Sequence, residues 1–240
     1  MASTEVTNSL VHKLKDPKFY LENFTKIKGK GTGSFIPFIL KEAQKDLFNT
    51  LKRHGRVIIL KARQMGFSTA VVGFLYHDTI TNPNTTTALI GYNAALTSEL
   101  LEKVKTLYKT TPPELRPTIQ YNSKSEISFP AINSKILILP STVNVGRGYT
   151  LNNVLATELA FWDDADEKMT ALEASVPPDG RIIIESTPNG QGNKYHRTWM
   201  TDDNGYEKKE YGWWWDYSEE EIRLIERRVN DPRKFAQEYG

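Results

Sequence analysis

The sequence contains no cysteine, which excludes disulfide bonds, thiolate nucleophiles and cysteine-based zinc sites. It also lacks an apolar run long enough to cross a membrane, and residues 1–16 carry no apolar segment of the signal-peptide kind. A net charge of +2 is too small to argue for a nucleic-acid partner by itself, so any such contact would need local patches of charge. We therefore expect no membrane contact and a reducing, cytoplasm-like compartment.

What is present is the composition of a globular domain. At 240 residues, with 39% hydrophobic and 25% charged residues, the chain can bury a full core. Strand-like apolar runs alternate with helix-like amphipathic stretches, which predicts an α/β fold with a mainly parallel sheet covered on both faces. We expect an N-terminal extension (1–35), a core (36–205) and a small C-terminal subdomain (206–240). Strands are predicted at 57–60, 85–93, 118–129 (as a hairpin), 135–141, 152–162, 181–190 and 207–218, and helices at 18–24, 37–54, 70–78, 94–109, 163–176 and 218–240.

The stretch RVIILKARQMGFST, at 56–69, has the layout of a phosphate-binding loop. An apolar strand leads into a turn with Gly66, then into the hydroxyl of Ser68 and a helix. In this layout backbone N–H groups and the helix N-terminus face an anion. The pattern G-x-x-x-x-G-K-[ST] is only half matched, because Lys61 replaces the first glycine and Phe67 the lysine. Taken alone, the stretch is better explained as an ordinary strand-to-helix turn.

Two later strand ends carry suitable chemistry. Glu158 ends the apolar run VLATE, where a nucleotide hydrolase needs a carboxylate beside the γ-phosphate to orient water. The strand IIIESTPNG ends in the hydroxyls of Ser186 and Thr187, which could sense the γ-phosphate. Simpler explanations are an acidic residue at a strand end and a plain Pro-Asn-Gly turn. Three such strand ends in this order outweigh the simpler explanations.

Three further side chains are candidates with an ordinary alternative. Arg147 lies between two glycines, where its guanidinium could reach a phosphate across an interface, or it is a surface arginine. Arg63 could hold the shape of the loop or add charge beside Lys61. Gln44 could read an adenine edge with its amide, or it is a surface glutamine.

Together KARQMGFST, VGRGYT, LATELAFW and IIIESTPNG resemble the ATPase domain of large terminase subunits, the DNA-packaging motors of tailed bacteriophages. The upstream PFILKEAQ is similar to that family's adenine-reading segment, and DPRKFAQEYG to its segment just before the nuclease domain. The resemblance covers about residues 37–190 and implies a P-loop NTPase fold of the ASCE type with a small C-terminal lid subdomain. In this family the first position of the loop is often basic, as Lys61 is here.

The resemblance implies a role for each matching residue. Gln44 would contact adenine, Glu158 would be the catalytic carboxylate, and Arg147 would act in trans as the arginine finger of a neighbouring subunit's site. The residues expected to bind ATP are Lys61, which would also be catalytic, Ala62, Arg63, Gln64, Met65, Gly66, Phe67, Ser68 and Thr69. The expected motif that couples hydrolysis to movement is Ser186, Thr187 and Pro188. Mg²⁺ would be held by Ser68 and, through water, by Thr157.

The sequence departs from the family at Thr157, where an aspartate usually precedes the catalytic glutamate and holds Mg²⁺ through water. Threonine is neutral, so we expect weaker metal binding rather than a loss of hydrolysis. The family's nuclease domain would begin where this chain stops, at Gly240. The acidic residues at 163–167 are better explained as favourable charges at a helix start, so we expect no nuclease activity from this chain.

The function that the resemblance implies is ATP hydrolysis driving double-stranded viral DNA into a procapsid. Implied partners are the DNA, the portal protein and the small terminase subunit, with a homo-oligomeric ring at the portal vertex in the host cytoplasm and a monomer in isolation. A helicase-like DNA-repair ATPase is an alternative, disfavoured by Phe67. Another is a degenerate nucleotide-binding assembly module without hydrolysis, favoured by the position of Lys61 and by Thr157.

Overall fold

The protein is described by a computed structural model over residues 10–29, 31, 33–142 and 148–239, with the side chains of residues 121 and 122 left aside. Arg147, the predicted arginine finger, lies outside the described residues. Within these ranges no helix has both the length and the apolar character that a membrane crossing requires.

The core of the fold is an eight-stranded sheet with the strand order β10-β3-β9-β8-β4-β7-β6-β5. The pairs from β10 to β7 are parallel, and β6 and β5 add an antiparallel hairpin at one edge. A separate antiparallel pair, β1 with β2, precedes the sheet in sequence. The strands are β1 (Lys26–Lys28), β2 (Phe35–Pro37), β3 (Arg56–Lys61), β4 (Thr86–Gly91), β5 (Tyr121–Asn122), β6 (Glu126–Phe129), β7 (Ser134–Pro140), β8 (Asn153–Thr157), β9 (Arg181–Ser186) and β10 (Glu207–Tyr211).

Helices precede β3, lie between strands of the main sheet and follow β10. They are α1 (Pro17–Phe24), α2 (Glu42–Leu51), α3 (Phe67–Thr81), α4 (Ala94–Thr110), α5 (Ala165–Ser175), α6 (Lys194–Met200), α7 (Glu219–Val229) and α8 (Pro232–Tyr239). Short 3-10 turns occur at Pro113–Leu115, Pro130–Ile132, Leu159–Phe161 and Trp213–Trp215. The starts of these helices follow local chemistry: the Asn93 side chain caps α4, and Ser218 with Glu221 forms a capping box on α7.

The sheet separates two apolar cores. Because side chains alternate along a strand, Val57 and Ile59 of β3 pack with α3 on one face, while Ile58 packs on the other with α5. Strands buried on both faces read as continuous apolar runs, which explains the sequence pattern. Helix α3 is buried around most of its circumference, because α1 and α4 pack against it as the sheet does.

The predicted mainly parallel sheet flanked by helices is confirmed, as are the hairpin and the capping box of α7. The helix predicted at 37–54 is shorter, because Pro37 belongs to β2 and α2 begins only after its N-cap, Lys41. The region predicted as a strand at 207–218 becomes strand only at β10, which joins the edge of the main sheet beside β3. The boundary at 205/206 stays a prediction.

Candidate functional site

The strand order brings the predicted site residues to one edge of the sheet. Strands β3, β9 and β8 are neighbours, so their carboxyl ends lie side by side although they are far apart in sequence. The chain leaves β3 and returns in β4 on the far side of β9 and β8, which is a topological switch point. In open parallel sheets ligands bind in the crevice outside the strand ends at such a point.

Residues 61–69, named the phosphate loop here, run from the last residue of β3 into the first turn of α3. Gln64 and Gly66 have left-handed backbone conformations, with φ of 63° and 79°. Gly66 is the N-cap of α3, so the loop ends at the positive end of a fifteen-residue helix. Ser68 and Thr69 lie in that first turn and are partly exposed. This geometry fits an anion-binding helix N-terminus.

Phe67 stands where the common motif has lysine, and its side chain faces the core. It is 1% exposed and stacks on Tyr211 of β10 with ring centroids 4.4 Å apart. A side chain in this position cannot serve an anion at the loop. The aromatic residue instead attaches the start of α3 to the edge strand of the sheet.

Gln44 holds the phosphate loop by a hydrogen bond from its side chain. Its Nε2 donates to the Met65 carbonyl at 3.0 Å, and its Oε1 accepts from the backbone N–H of Lys41 at 3.1 Å. A Cβ on Gly66 would lie 2.9 Å from this Nε2, so the amide would have to shift, and the left-handed φ of 79° itself favours glycine. In the described structure the amide of Gln44 is thus engaged by the chain itself. Its predicted contact with adenine stays a prediction.

Lys61 carries the positive charge of the site. Its ammonium is 2.8 Å from Oε1 of Glu158, although the side chain is only 7% exposed. Burial acts to lower the pKa of Lys61, but the carboxylates of Glu185 and Glu158 outweigh it, so this pKa lies above its ordinary value. The lysine is therefore charged and held at the strand ends.

Glu158 follows β8 in a left-handed conformation, with φ of 54°, that turns its side chain toward the neighbouring strands. Its Oε2 accepts from the backbone N–H of Thr187 at 3.1 Å and from the Ser186 hydroxyl at 3.3 Å. Non-glycine residues in this conformation cost free energy and cluster at functional sites. The predicted catalytic carboxylate is thus in direct contact with Ser186 and Thr187 of the predicted coupling motif. Pro188 directly follows these two residues.

Sequence reasoning assigned no role to Glu185, the residue before that motif. It is fully buried, and its Oε1 accepts from the Thr157 hydroxyl at 2.7 Å. Its Oε2 has no hydrogen-bond partner among the described residues. The sequence does contain a signal for this residue, which is a charged side chain at the end of the apolar run IIIE. Its contact with Thr157 could be found only from the strand register, which places Thr157 opposite Glu185.

The C-terminal helix also reaches the phosphate loop. The backbone N–H of Arg63 donates to the Glu238 carbonyl at 2.6 Å, and its guanidinium pairs with the Glu238 carboxylate at 2.6 Å. Gln237 donates to Asn189, just after the predicted coupling motif, at 3.2 Å. Helix α8 therefore lies across the mouth of the site, and this long-range contact could not be read from the sequence.

The chain has an α/β fold of the P-loop NTPase-like kind. More narrowly, its fold is that of the ATPase domains of phage large terminases. No protein-family model matches the sequence. The chain superposes on the Thermus phage P74-26 large terminase ATPase domain with a TM-score of 0.67 at 18% identity, over 84% of this chain and 92% of that one.

Two further solved structures agree. The HK97 bacteriophage large terminase matches with a TM-score of 0.74 at 16% identity, over 94% of this chain and 54% of that one. The large terminase of a thermophilic bacteriophage, in a complex with ADP, matches with a TM-score of 0.60 at 10% identity, over 78% of this chain and 49% of that one. This chain therefore spans about half of these two longer proteins. At such identities the likeness is one of fold.

Proposed function

We propose that the protein is an ATP-hydrolysing DNA translocase, the motor of a phage DNA-packaging machine. The observation that carries this proposal is the meeting of Lys61, Glu158 and Thr187 at three strand ends beside the N-terminus of α3. The likeness in fold to phage terminase ATPase domains supports it at the level of architecture.

ATP binds with its phosphates on the phosphate loop, where the N-terminus of α3 and the charge of Lys61 face them. Arg63 adds charge once its pairing with Glu238 is released. The groups that would hold Mg²⁺ are the hydroxyl of Ser68 and, through water, that of Thr157. Mg²⁺ prefers oxygen ligands, and Oε2 of Glu185 is a buried carboxylate oxygen without a hydrogen-bond partner among the described residues, while Oε1 of the same carboxylate accepts from Thr157. When bound, Mg²⁺ supplies positive charge that offsets the negative charge of the phosphate oxygens.

Hydrolysis uses Glu158 to orient water. When Lys61 turns from Glu158 to the phosphates, Oε1 of Glu158 becomes free to accept from a water molecule. The water oxygen attacks the γ-phosphorus in line, the bond to the β-phosphate oxygen breaks, and ADP and phosphate leave. The proton of the water passes to Glu158 and then to the products. Because Lys61 is needed at the phosphates, its ion pair with Glu158 is a resting contact.

Coupling to movement begins at the same carboxylate. Because Oε2 of Glu158 accepts from the N–H of Thr187, any shift of Glu158 during hydrolysis changes a hydrogen bond of the Ser186–Pro188 segment. This segment is followed by α6 and by the loop residue that Gln237 contacts. Hydrolysis can thereby move the C-terminal part of the chain relative to the sheet.

The assembled state completes the motor. Arg147 of one subunit would stabilise transition-state charge in the site of the next, in a ring on the portal protein with double-stranded DNA and the small terminase subunit as partners. In this proposal the protein acts in the host cytoplasm, transiently at the portal vertex, with residues 36–205 as the ATPase core and 206–240 as a lid. Turnover by the isolated chain is accordingly slow.

A second candidate is a nucleotide-binding assembly module without hydrolysis. The observation that favours it is the mutual engagement of Lys61 and Glu158, which withholds both groups from a ligand. The two candidates differ in turnover, since the module binds nucleotide but releases no phosphate.

The deciding experiment measures phosphate release and nucleotide affinity for the native chain, Lys61→Ala and Glu158→Gln. We expect Glu158→Gln to retain nucleotide binding and to lower turnover by about 10²–10⁴-fold, the range for a positioned acid–base group. Lys61→Ala should weaken nucleotide binding as well, because it removes the main phosphate charge.

The matched control is Asp163→Asn, which neutralises an exposed carboxylate five positions beyond Glu158 and should leave turnover unchanged. Undiminished turnover in Glu158→Gln would remove that residue from the mechanism. Nucleotide binding with no phosphate release, by the native chain both alone and on the portal, would favour the module.

A further inference from the structure

Glu185 is a buried carboxylate that takes no part in the steps of hydrolysis proposed above. Its side chain is 0% exposed, and only one of its two oxygens is hydrogen-bonded, to the hydroxyl of Thr157. The other oxygen, Oε2, has no partner among the residues that the structure describes. A buried carboxylate oxygen without a partner costs free energy, so such a group calls for an unseen ligand or a functional role.

The orientation of Glu185 follows from the register. Thr157 and Ile59 are its partners on the two neighbouring strands, and directly paired residues project to the same face of a sheet. Lys61 lies two positions beyond Ile59 and shares that face. This is the face on which α3 packs, as the apolar cluster of Val57, Ile59 and α3 demonstrates. Glu185 therefore lies on the side of the sheet where the phosphate loop begins its helix.

The neighbours of Glu185 define what its free oxygen can serve. The ammonium of Lys61 is hydrogen-bonded to Glu158, and the Thr157 hydroxyl is committed to Oε1. Neither group donates to Oε2 of Glu185, so this oxygen is available as a metal ligand. Mg²⁺ in nucleotide sites takes one or two carboxylates together with phosphate oxygens and waters.

We propose that Glu185 supplies, from β9, the carboxylate toward Mg²⁺ that Thr157 does not supply from β8. Thr157 then serves as a positioning residue: its hydroxyl fixes Oε1 and leaves Oε2 directed to the metal or its bound water. The carboxylate thus lies on β9 rather than on β8, at the same edge of the sheet. This inference rests on the proposed ATPase function and adds a residue to the metal site of that function.

The experiment measures Mn²⁺ binding by electron paramagnetic resonance, in the presence of adenylyl-imidodiphosphate, for the native chain and for Glu185→Gln. Glutamine keeps the shape and can still accept from Thr157, while the substitution removes the charge and replaces Oε2 by an amide nitrogen that cannot bind a cation. We expect Mn²⁺ affinity to fall by about 10–100-fold, as for outer ligands of metal sites. Binding of the same nucleotide analogue in EDTA should stay unchanged.

Two variants sharpen the result. The exchange Thr157→Asp with Glu185→Thr returns the carboxylate to β8 and should recover most of the Mn²⁺ affinity that Glu185→Gln loses. Asp163→Asn neutralises an exposed carboxylate outside the site and should leave Mn²⁺ affinity near that of the native chain. If Glu185→Gln does not fold by circular dichroism, Glu185→Asp replaces it, with a weaker but measurable loss expected.

Native Mn²⁺ affinity in the folded Glu185 variant would overturn the proposal. So would an equal loss of nucleotide binding in EDTA, because Glu185 would then act as the counter-charge of Lys61 rather than on the metal. If the native chain itself fails to bind Mn²⁺ with the nucleotide analogue, the proposed ATPase function fails and this inference falls with it. The native chain thus separates the two failures.

Discussion

At the scale of single residues, the phosphate loop departs from the common motif at both ends. The position that usually carries lysine holds Phe67, which packs into the core against Tyr211. The positive charge comes from the other end of the loop, where Lys61 ends β3 beside Glu158. The two departures from the motif complement each other. The aromatic side chain of Phe67 anchors the loop in the core, and Lys61 at the end of the preceding strand supplies the charge. Thr157 and Glu185 form a second such exchange.

Gly66→Ala tests the backbone of the loop. An alanine at φ of 79° costs about 1–2 kcal/mol, and its Cβ, 2.9 Å from Nε2 of Gln44, would displace the amide that donates to the Met65 carbonyl. We expect a drop in the free energy of unfolding together with weaker nucleotide binding, measured by denaturant titration and by fluorescent-nucleotide binding.

The matched control is Gly205→Ala, which has a φ of 80° and no atom within 4 Å of the added Cβ. It should show the backbone cost alone, without a change in nucleotide affinity. If both variants lose the same stability and neither loses nucleotide affinity, the contact of Gly66 with Gln44 is not important to the site.

At the scale of elements, the sequence predicted what depends on nearest neighbours in the chain. Apolar runs located the strands, and their polar ends at Lys61, Glu158 and Ser186 located the predicted site. What it could not predict depends on neighbours across the sheet. The role of Glu185 needs the pairing of β8 with β9, and β10 beside β3 needs the order of the whole sheet.

The contact of α8 with the phosphate loop is another such element-scale feature. Glu238 occupies the N–H and the guanidinium of Arg63 in the position where a triphosphate would bring like charge. We expect Glu238→Gln to raise ATP affinity by about two- to five-fold, the worth of a partly exposed ion pair. Isothermal titration calorimetry at low and high salt measures this gain, which should shrink as salt screens the charges.

Glu226→Gln is the control for that prediction, since it removes an equal charge from the exposed surface of α7, next to α8. It should leave ATP affinity as in the native chain. A decrease in ATP affinity for Glu238→Gln would mean that α8 holds the phosphate loop in its binding conformation rather than competing with the nucleotide.

At the scale of the whole molecule, stability has a pH-sensitive point far from the site. His77 of α3 is buried, and its Nε2 is hydrogen-bonded to the Leu14 carbonyl at 2.9 Å. Burial lowers the pKa of His77 more than this carbonyl and the carboxylates of Asp78 and Asp16 raise it. The unfolded chain therefore binds a proton more readily than the folded one. Stability is present above about pH 6.5, the ordinary pKa, and is lost as the pH falls through the lower folded value.

We expect His77→Gln to flatten the pH dependence of the melting temperature below about pH 6.5, where one such group contributes at most about 1.4 kcal/mol per pH unit. Thermal melting of both proteins between pH 5 and pH 8 measures this. His12→Gln, which changes an exposed histidine, is the control and should keep the native pH profile. A native profile in His77→Gln would assign the acid sensitivity to other groups.

The parallel pairing of β10 with β3 has a mechanical consequence. Residues 207–211 pair in register with 57–61, and the chain then continues from β10 into α7 and α8. A force on this C-terminal part along the strand axis would shear the pair and load all of its hydrogen bonds at the same time. A pull across the sheet would open them one after another. The attachment therefore resists force along the strands more than force across the sheet. A force on the C-terminal helices reaches the strand that carries Lys61 only when it acts along the strand axis.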